Sequence, residues 1–442
     1  MASTIEPMIL KGFRDFLPVK EIERKRIINI LEKNFESFGF VPIDTPVLEY
    51  TEVLLGKGGG ETDKQVYRFE DKGGRDVSMR FDLTVPFARY MAKNRSGLYL
   101  PFKRYHINKV WRGENTQRGR YREFMQCDFD IVGLDTASAD FEILMMMRDS
   151  MKALDIQNVT VHFSHRGIFN RLLNKLRIAE NSVEILRIVD KLSKIGEEEV
   201  VKQLSDLTSI EKALEIVDFI KPASNSLETL KKMELAAGGP DEDSERLRTI
   251  FSYIQENEMD DSFRLDPSIT RGLDYYTGIV YETFLNELPG IGSVCSGGRY
   301  NNLASLYTKE ELPGVGASIG LDRLMAALEE LGRSSDKKSF TDLLILAMDD
   351  KLFGYYHKLS SIFRKEGINC EVYHVKKKIN GQFKFAEAKS IPYALTCGEE
   401  EYSRGVVNLK DLNARENWND LTIEEATEKV KALLLLKSGD LH

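Results

Sequence analysis

Phe124-Met125-Gln126-Cys127-Asp128-Phe129-Asp130-Ile131 alternates strictly between two kinds of side chain. Successive residues of a β-strand point to opposite faces. Met125, Cys127, Phe129 and Ile131 therefore share an apolar face, and Phe124, Gln126, Asp128 and Asp130 share the other. This predicts a strand of an antiparallel sheet with one core-facing side. The polar side has two readings at this point: a solvated sheet surface, or a floor of amide and carboxylate groups facing a cationic or hydrogen-bonding ligand. His106 to Arg112 and Arg122 to Val132 read as a hairpin, joined by a polar loop that contains Gly113 and Gly119.

Elements to either side extend this sheet. Pro18 to Phe38 is predicted as a helix, with Ile22, Ile28, Leu31, Phe35 and Phe38 at helical spacing and Gly39 as its stop. Gln65 to Phe69 and Asp76 to Thr84 suggest a second hairpin around Asp71-Lys72-Gly73-Gly74. Strand alternation there puts Arg80, Asp82 and Thr84 on one face. Ala139 to Leu154 reads as a helix in which Met145-Met146-Met147 fills the core, and Val159 to Ser164 reads as a strand. From about residue 170 to 261, charged residues and Leu/Ile recur at helical spacing, which marks an inserted helical subdomain. Strand-like sequence returns at Ser262 to Phe284, Gly292 to Ser296 and Gly314 to Gly320, before a helix from Leu321 to Leu331.

The expected division is a first domain over 1–331, a polar linker over 332–340 and a small α/β domain over 341–442. In the last of these, Leu343 to Leu346, Cys370 to Tyr373, Tyr393 to Thr396 and Gly405 to Leu409 read as strands. A helix runs through Phe363, and another from Ile423 to Leu436.

Composition narrows the function. The chain has 442 residues, a formal charge of -8, four cysteines and six histidines. Net acidity argues against a protein that coats duplex nucleic acid, but leaves room for a local RNA contact. Cys127, Cys295, Cys370 and Cys397 lack metal-ligand spacing and read as reduced thiols of a cytoplasmic protein. The histidines make no H-x-x-x-H pattern, so no zinc site built from protein side chains is expected. No apolar run nears the roughly 18 residues of a membrane span, and the N-terminus has no secretory pattern.

Three stretches carry chemistry. Arg271-Gly272-Leu273-Asp274-Tyr275-Tyr276-Thr277-Gly278 sets a cation, a carboxylate and two phenols within six consecutive residues. The loop from Trp111-Arg112-Gly113-Glu114 to Arg122 holds Arg112, Arg118, Arg120 and Arg122, whose planar forks suit phosphate or decorate a solvated hairpin tip. Gly314-Val315-Gly316-Ala317-Ser318-Ile319-Gly320-Leu321-Asp322-Arg323 is Gly-rich but has neither a phosphate-loop nor a dinucleotide-binding spacing. Leu54 to Glu61 fails the same test and is expected as a flexible loop.

In order along the chain, Gly39 to Pro46, Trp111 to Glu114 with its loop, and Gly314 to Arg323 resemble the three motifs of class II aminoacyl-tRNA synthetases. Arg271 to Gly278, Cys295-Ser296-Gly297-Gly298-Arg299-Tyr300 and Lys11 to Pro18 narrow the resemblance to the histidyl-tRNA synthetases. Phe81 to Tyr90 looks closer to the eukaryotic members. The resemblance implies an α+β fold: a class II antiparallel catalytic domain flanked by helices, with a helical insertion, and a C-terminal anticodon-binding domain. It implies a cytoplasmic homodimer in which L-histidine and ATP, with Mg2+ on its phosphates, form histidyl-adenylate, and histidine then passes to tRNA(His).

By the same resemblance Arg112, Arg271 and Arg323 are catalytic, and Arg112, Glu114, Arg271 and Arg323 bind ATP. Asp82, Thr84 and Gln126 hold the α-amino group of histidine. Asp130 and Tyr276 meet the imidazole, while Tyr275 and Tyr300 line the pocket. Gln117, Arg118 and Arg120 approach the tRNA acceptor end, and Lys376, Lys377, Lys378 and Lys384 lie where phosphates or solvent meet the C-terminal domain. Asp82, Asp130 and Asp322 stand where glutamate is common, which shortens reach and keeps charge. The alternative is a non-catalytic relative that regulates histidine biosynthesis or senses uncharged tRNA. Such relatives tend to lose the arginine–tyrosine signature or the C-terminal domain, and this chain has both. An unrelated nucleotide-binding enzyme is the third reading.

Overall fold

The protein is represented by a computed structural model that describes residues 4–56, 64–116, 119–270 and 275–439. The chain forms two compact units, Met1–Asp15 with Arg26–Ser334, and Phe16–Lys25 with Ser335–His442. Strands of the first unit are β1 (Val41–Pro42), β2 (Leu48–Tyr50), β3 (Arg68–Glu70), β4 (Asp76–Met79), β5 (Phe102–Trp111) and β6 (Glu123–Val132). They continue as β7 (Val159–His165), β8 (Phe263–Leu265), β9 (Ile279–Leu285), β10 (Cys295–Arg299) and β11 (Gly314–Gly320).

Eight of these strands form one sheet in the order β1-β5-β6-β11-β10-β9-β7-β8. Every neighbouring pair is antiparallel except the two at the edges, β1 with β5 and β7 with β8. The apolar face of β6 faces the main core: Cys127, Phe129 and Ile131 are buried with Ile27, Leu31 and Phe35 of the helix Pro18–Ser37. Phe35 and Phe129 sit 5.0 Å apart between ring centroids. Met146 and Met147, on the helix Ala137–Ala153, belong to the same core. The helix Pro18–Ser37 ends as expected: Gly39 lies just beyond it at φ +80°, a left-handed conformation that glycine adopts without cost.

The opposite face of β6 is not solvated. Asp128 is 1% exposed and Asp130 2%. Burying carboxylates is costly unless they are paired or serve a ligand, so the reading of this face as a solvated sheet surface does not hold.

One expectation is corrected beside it. The strand predicted to run to Thr84 stops at Met79, and Thr84 opens the helix Thr84–Asn94. Pro86 lies in the first helical turn, where its missing N–H costs nothing. The alternation through Arg80, Asp82 and Thr84 therefore does not hold. Arg80 is fully buried and donates to the carbonyls of Thr45 (2.6 Å) and Lys109 (3.0 Å), whereas Asp82 accepts the Val85 N–H at 3.1 Å at the start of the helix.

Between β7 and β8 the chain is helical, from Arg166–Lys175 to Glu242–Glu256. Ser209, Asn225 and Asp241 cap three of these helices through side-chain oxygens. The segment expected as a loop at Leu54 begins instead as the end of the helix Thr51–Leu55, and its continuation over 57–63 lies outside the described residues. No helix among the described residues is long and apolar enough to cross a membrane.

The second unit has a mixed sheet of β12 (Leu343–Ile345), β13 (Cys370–Val372), β14 (Tyr393–Thr396), β15 (Val407–Asp411) and β16 (Asn417–Leu421), in the order β13-β12-β14-β15-β16. Leu343 and Ile345 face one core cluster and Leu344 and Leu346 another. Burial on both faces explains the continuous apolar run. β16 has no counterpart in the sequence reading, because its Asn417, Asn419 and Asp420 hide the strand pattern. Lys384 lies on the helix Ile379–Ala388 rather than in a loop, while Lys376, Lys377 and Lys378 are exposed just before that helix.

Candidate active site

The polar face of β6 forms part of a cavity of about 400 Å3 whose wall includes Asp82, Thr84, Arg112, Glu114, Arg120, Gln126, Tyr275, Tyr276 and Arg323. These residues come from the turn before the helix Thr84–Asn94, from the loop between β5 and β6, from β6, from the segment before β9, and from the helix Leu321–Glu330. Glu114, Arg120, Glu282, Ser293 and Arg323 also border a larger cleft of about 1670 Å3 that reaches the inserted helices at Val189–Lys194.

The cations are held by backbone carbonyls. Arg112 Nε donates to the Phe81 carbonyl at 2.8 Å, and its guanidinium lies 5.2 Å from the Phe124 ring. Arg323 Nη1 donates to the Ser293 carbonyl at 2.5 Å. A carbonyl anchor fixes position without neutralising charge, so the Arg112 guanidinium is held in place as a cation on the cavity wall. Beside Arg323, Asp322 turns the other way. It accepts the Met125 N–H at 2.8 Å and pairs with Arg14. The Arg14 guanidinium in turn stacks 3.2 Å over the Tyr121 ring.

The carboxyls lie in a dry floor. Burial pushes Asp82 up to about 6, opposed by its bond to the Val85 N–H and by Arg112 and Arg104. Burial likewise raises Asp130, opposed by Arg104, whose Nη2 is 2.7 Å from Asp130 Oδ2. Tyr300 donates its hydroxyl to Asp130 Oδ1 at 2.5 Å. Tyr275 packs edge-on against Tyr276 (4.9 Å) and Tyr300 (6.0 Å).

Glycines of β11 make this floor possible. A Cβ at Gly316 would stand 2.0 Å from Asp130 Oδ1, and one at Gly314 would stand 2.4 Å from the Tyr300 ring. The Gly-rich strand thus serves close packing of the acid and phenol, not a phosphate loop.

Asp82, Thr84, Arg112, Glu114, Arg120, Gln126, Tyr275, Tyr276 and Arg323 are brought together in one cavity. Asp130 and Tyr300 are not on its wall. They lie behind it, bonded to each other and almost fully buried. Arg271, Gln117 and Arg118 fall outside the described residues. The sequence reading missed Arg104, Ser318 and Glu282 as members of the site, and Arg14 as the partner of Asp322. Strand register would have found Arg104, which stands directly opposite Asp130. Nothing local points to Arg14, because 308 positions separate it from Asp322.

A profile of the histidyl-tRNA synthetase family matches residues 12–324. The chain belongs to the histidyl-tRNA synthetase family. An anticodon binding domain profile matches residues 342–433. Histidine–tRNA ligase of Treponema denticola is 54% identical over 98% of this chain and 99% of its own. That of Treponema pallidum (strain Nichols) is 46% identical over 94% and 96%. The crystal structure of histidyl-tRNA synthetase from Nostoc sp. PCC 7120 superposes with a TM-score of 0.85 at 30% identity, covering 97% of this chain and 100% of that one. The fold is that of class II synthetases, a largely antiparallel catalytic sheet with helices and a C-terminal α/β anticodon-binding domain.

The buried acid gives a pH test. The folded-state value of Asp82, about 6, lies above the ordinary 3.8. The native protein therefore holds a proton that the unfolded chain releases between those values. That contribution is complete below about pH 4 and is lost as pH rises through about 6. Asp82→Asn, which stays neutral and can still cap Val85, is expected to stabilise the ligand-free protein at pH 8 by about 2–3 kcal/mol and to change it little at pH 4. Urea unfolding at the two pH values measures this, and an equal effect at both would refute the buried-charge account.

Proposed function

We infer that the chain is a histidine–tRNA ligase whose cavity joins L-histidine to ATP and then serves tRNA(His). The observation that carries this reading is the pairing in one cavity of carbonyl-anchored arginines with an acid, amide and phenol floor, in a chain 54% identical to a histidine–tRNA ligase. Attack of the histidine carboxylate on the α-phosphate crowds negative charge there, and pre-placed cations lower that barrier. Arg112, Arg271 and Arg323 take this catalytic role. Glu114 reads the adenine edge, and Arg112, Arg271 and Arg323 hold the phosphates. Mg2+ fits as a companion of those phosphates, where it would neutralise charge, and Glu282 on the cavity wall offers it a hard carboxylate oxygen.

Asp82, Thr84 and Gln126 hold the α-ammonium. Tyr276 meets the imidazole beside Tyr275, with Asp130 and Tyr300 fixing this corner from behind. Imidazole presents one donor and one acceptor, so a floor of acids and phenols can satisfy both. Gln117, Arg118 and Arg120 face the acceptor end of the tRNA, and the C-terminal domain meets the unstacked anticodon loop. A second copy of the chain is proposed to cover the stretch that carries two sheet edges, β1 with exposed Val41 and β2 with exposed Leu48 and Tyr50, and the exposed Val47 just before β2. The ligase acts in the cytoplasm.

Histidine-dependent ATP–pyrophosphate exchange without tRNA tests the reading. Exchange with histidine alone among amino acids is expected. Its absence in a folded protein that still binds histidine would move the assignment to the regulatory alternative. Two substitutions separate the roles. Arg271→Ala is expected to slow adenylate formation far more than it weakens histidine binding, and equal losses would undo its catalytic role. Gln126→Ala is expected to weaken histidine binding about 10-fold, the worth of a hydrogen bond to a charged group, and unchanged affinity by calorimetry removes it from the pocket.

A further inference from the structure

The short run that leads from the pocket tyrosines into β9 has its backbone held from two sides. The Tyr276 carbonyl accepts from Arg166 Nη1 at 3.1 Å, and the Gly278 carbonyl accepts the Arg166 N–H at 2.9 Å. From β10 and just beyond it, the Arg299 carbonyl accepts the Thr277 N–H at 2.7 Å, and the Asn301 N–H donates to Thr277 Oγ1 at 3.1 Å. Arg166 thus meets two carbonyls of this run, one through its side chain and one through its main chain. It is the first residue of the first inserted helix, Arg166–Lys175, and it lies off the cavity wall.

The seat of the Tyr276 ring makes the side-chain bond matter. The ring lies over Gly298 of β10, where a Cβ would stand 2.9 Å from Tyr276 Cδ1. A glycine makes room for the ring but has no side chain to fix it. Tyr275 packs edge-on against the ring at 4.9 Å, yet it belongs to the same run. The backbone of Tyr276 therefore sets where its phenol points. A recognising group has to be held within about 0.5 Å of its working position. A guanidinium suits that task, because hydrogen bonds from a charged donor are stronger than neutral ones.

We propose, on the reading that Tyr276 meets the imidazole, that Arg166 is a positioning residue of the histidine pocket: by holding the Tyr276 carbonyl it sets the phenol at the imidazole. The inserted helical subdomain thereby begins at a residue that shapes amino-acid recognition. The bond to Gly278 comes from the main chain, so a substitution at Arg166 keeps that tie to β9 and removes the one to Tyr276.

The test is a double-mutant cycle read by calorimetric titration of the full chain with L-histidine and, separately, with ATP. Arg166→Met keeps an aliphatic stem and lacks the donor. Histidine affinity is expected to fall about 10-fold, the worth of one hydrogen bond at the ligand, while ATP affinity stays unchanged. In a Tyr276→Phe background, where the phenol is already gone, Arg166→Met is expected to cost almost nothing more. Arg166→Gln is polar and two bonds too short to reach the carbonyl. It is expected to behave alike, and it carries the test if the methionine variant does not fold. Equal losses for histidine and ATP would mean a merely structural role and overturn the proposal. Unchanged histidine affinity in a folded Arg166 variant would do the same, as would an undiminished loss in the Tyr276→Phe background. Tyr276→Phe alone separates the two levels. If it leaves histidine affinity unchanged, the underlying reading of Tyr276 fails. If it weakens histidine and the Arg166 variants do not, only the positioning role fails.

Discussion

Replacing Arg112 with alanine is expected to lower the rate of histidine-dependent ATP–pyrophosphate exchange by about 10²–10³-fold, the loss typical of one pre-placed donor to a developing anion. Histidine affinity is expected to change little. Arg112 enters the cavity wall with its Nε committed to the Phe81 carbonyl and its backbone N–H to Arg122. The Nη groups are left for phosphate, and the side chain needs no reorganisation when charge develops. Arg112→Lys should rescue little. A lysine cannot hold the carbonyl and present a planar fork at the same time. Pre-steady-state measurement of adenylate formation beside calorimetry of histidine binding separates the terms. A loss confined to histidine affinity would place Arg112 in the amino-acid pocket instead.

The second large effect concerns stability. Arg299 is fully buried, and its Nε and Nη2 donate to Asp140 Oδ1 at 2.9 and 2.7 Å. Its Nη1 donates to the Leu134 carbonyl at 2.9 Å. The other oxygen of Asp140 accepts from Arg246 Nε at 2.6 Å. The cluster joins β10, the helix Ala137–Ala153 and the inserted helix Glu242–Glu256. The Arg299 carbonyl also receives the Thr277 N–H at 2.7 Å, just after Tyr275 and Tyr276. Arg299→Met leaves the Asp140 carboxylate buried with half its partners, and is expected to cost about 3–5 kcal/mol. Replacing both, Arg299→Met with Asp140→Leu, should cost less, because the fully buried carboxylate is then not stranded and Arg246 keeps Asp135, to which its Nη1 donates at 2.7 Å. The midpoint of urea unfolding for the catalytic unit measures both. A shift below about 1 kcal/mol for the single variant, as for an exposed pair, would show that water reaches Asp140.

Much of this architecture was legible because its signals are local. The alternation at Phe124–Ile131 needed only the twofold period of a strand, and Gly39 marks a helix end through its own backbone chemistry. Where a neighbouring rule competed, the reading failed. Arg80, Asp82 and Thr84 looked like one face of a strand, but Pro86 favours the first turn of a helix and ended the strand early. At β16 the asparagines and aspartate masked a strand that pairs through its backbone with β15.

The candidate site divides along the same line. Sequence by itself determined which residue types the site contains, the order of its motifs and the family to which they belong, since each motif is a run of adjacent residues. Only the tertiary structure decided which of those residues share a cavity. It placed Asp130 and Tyr300 behind the wall, set Arg104 against Asp130, joined Arg14 to Asp322, and bonded Ser318 to Gln126. These partners sit on different strands and segments, and strand register and burial, which arise only when the whole sheet assembles, determine whom each buried charge meets.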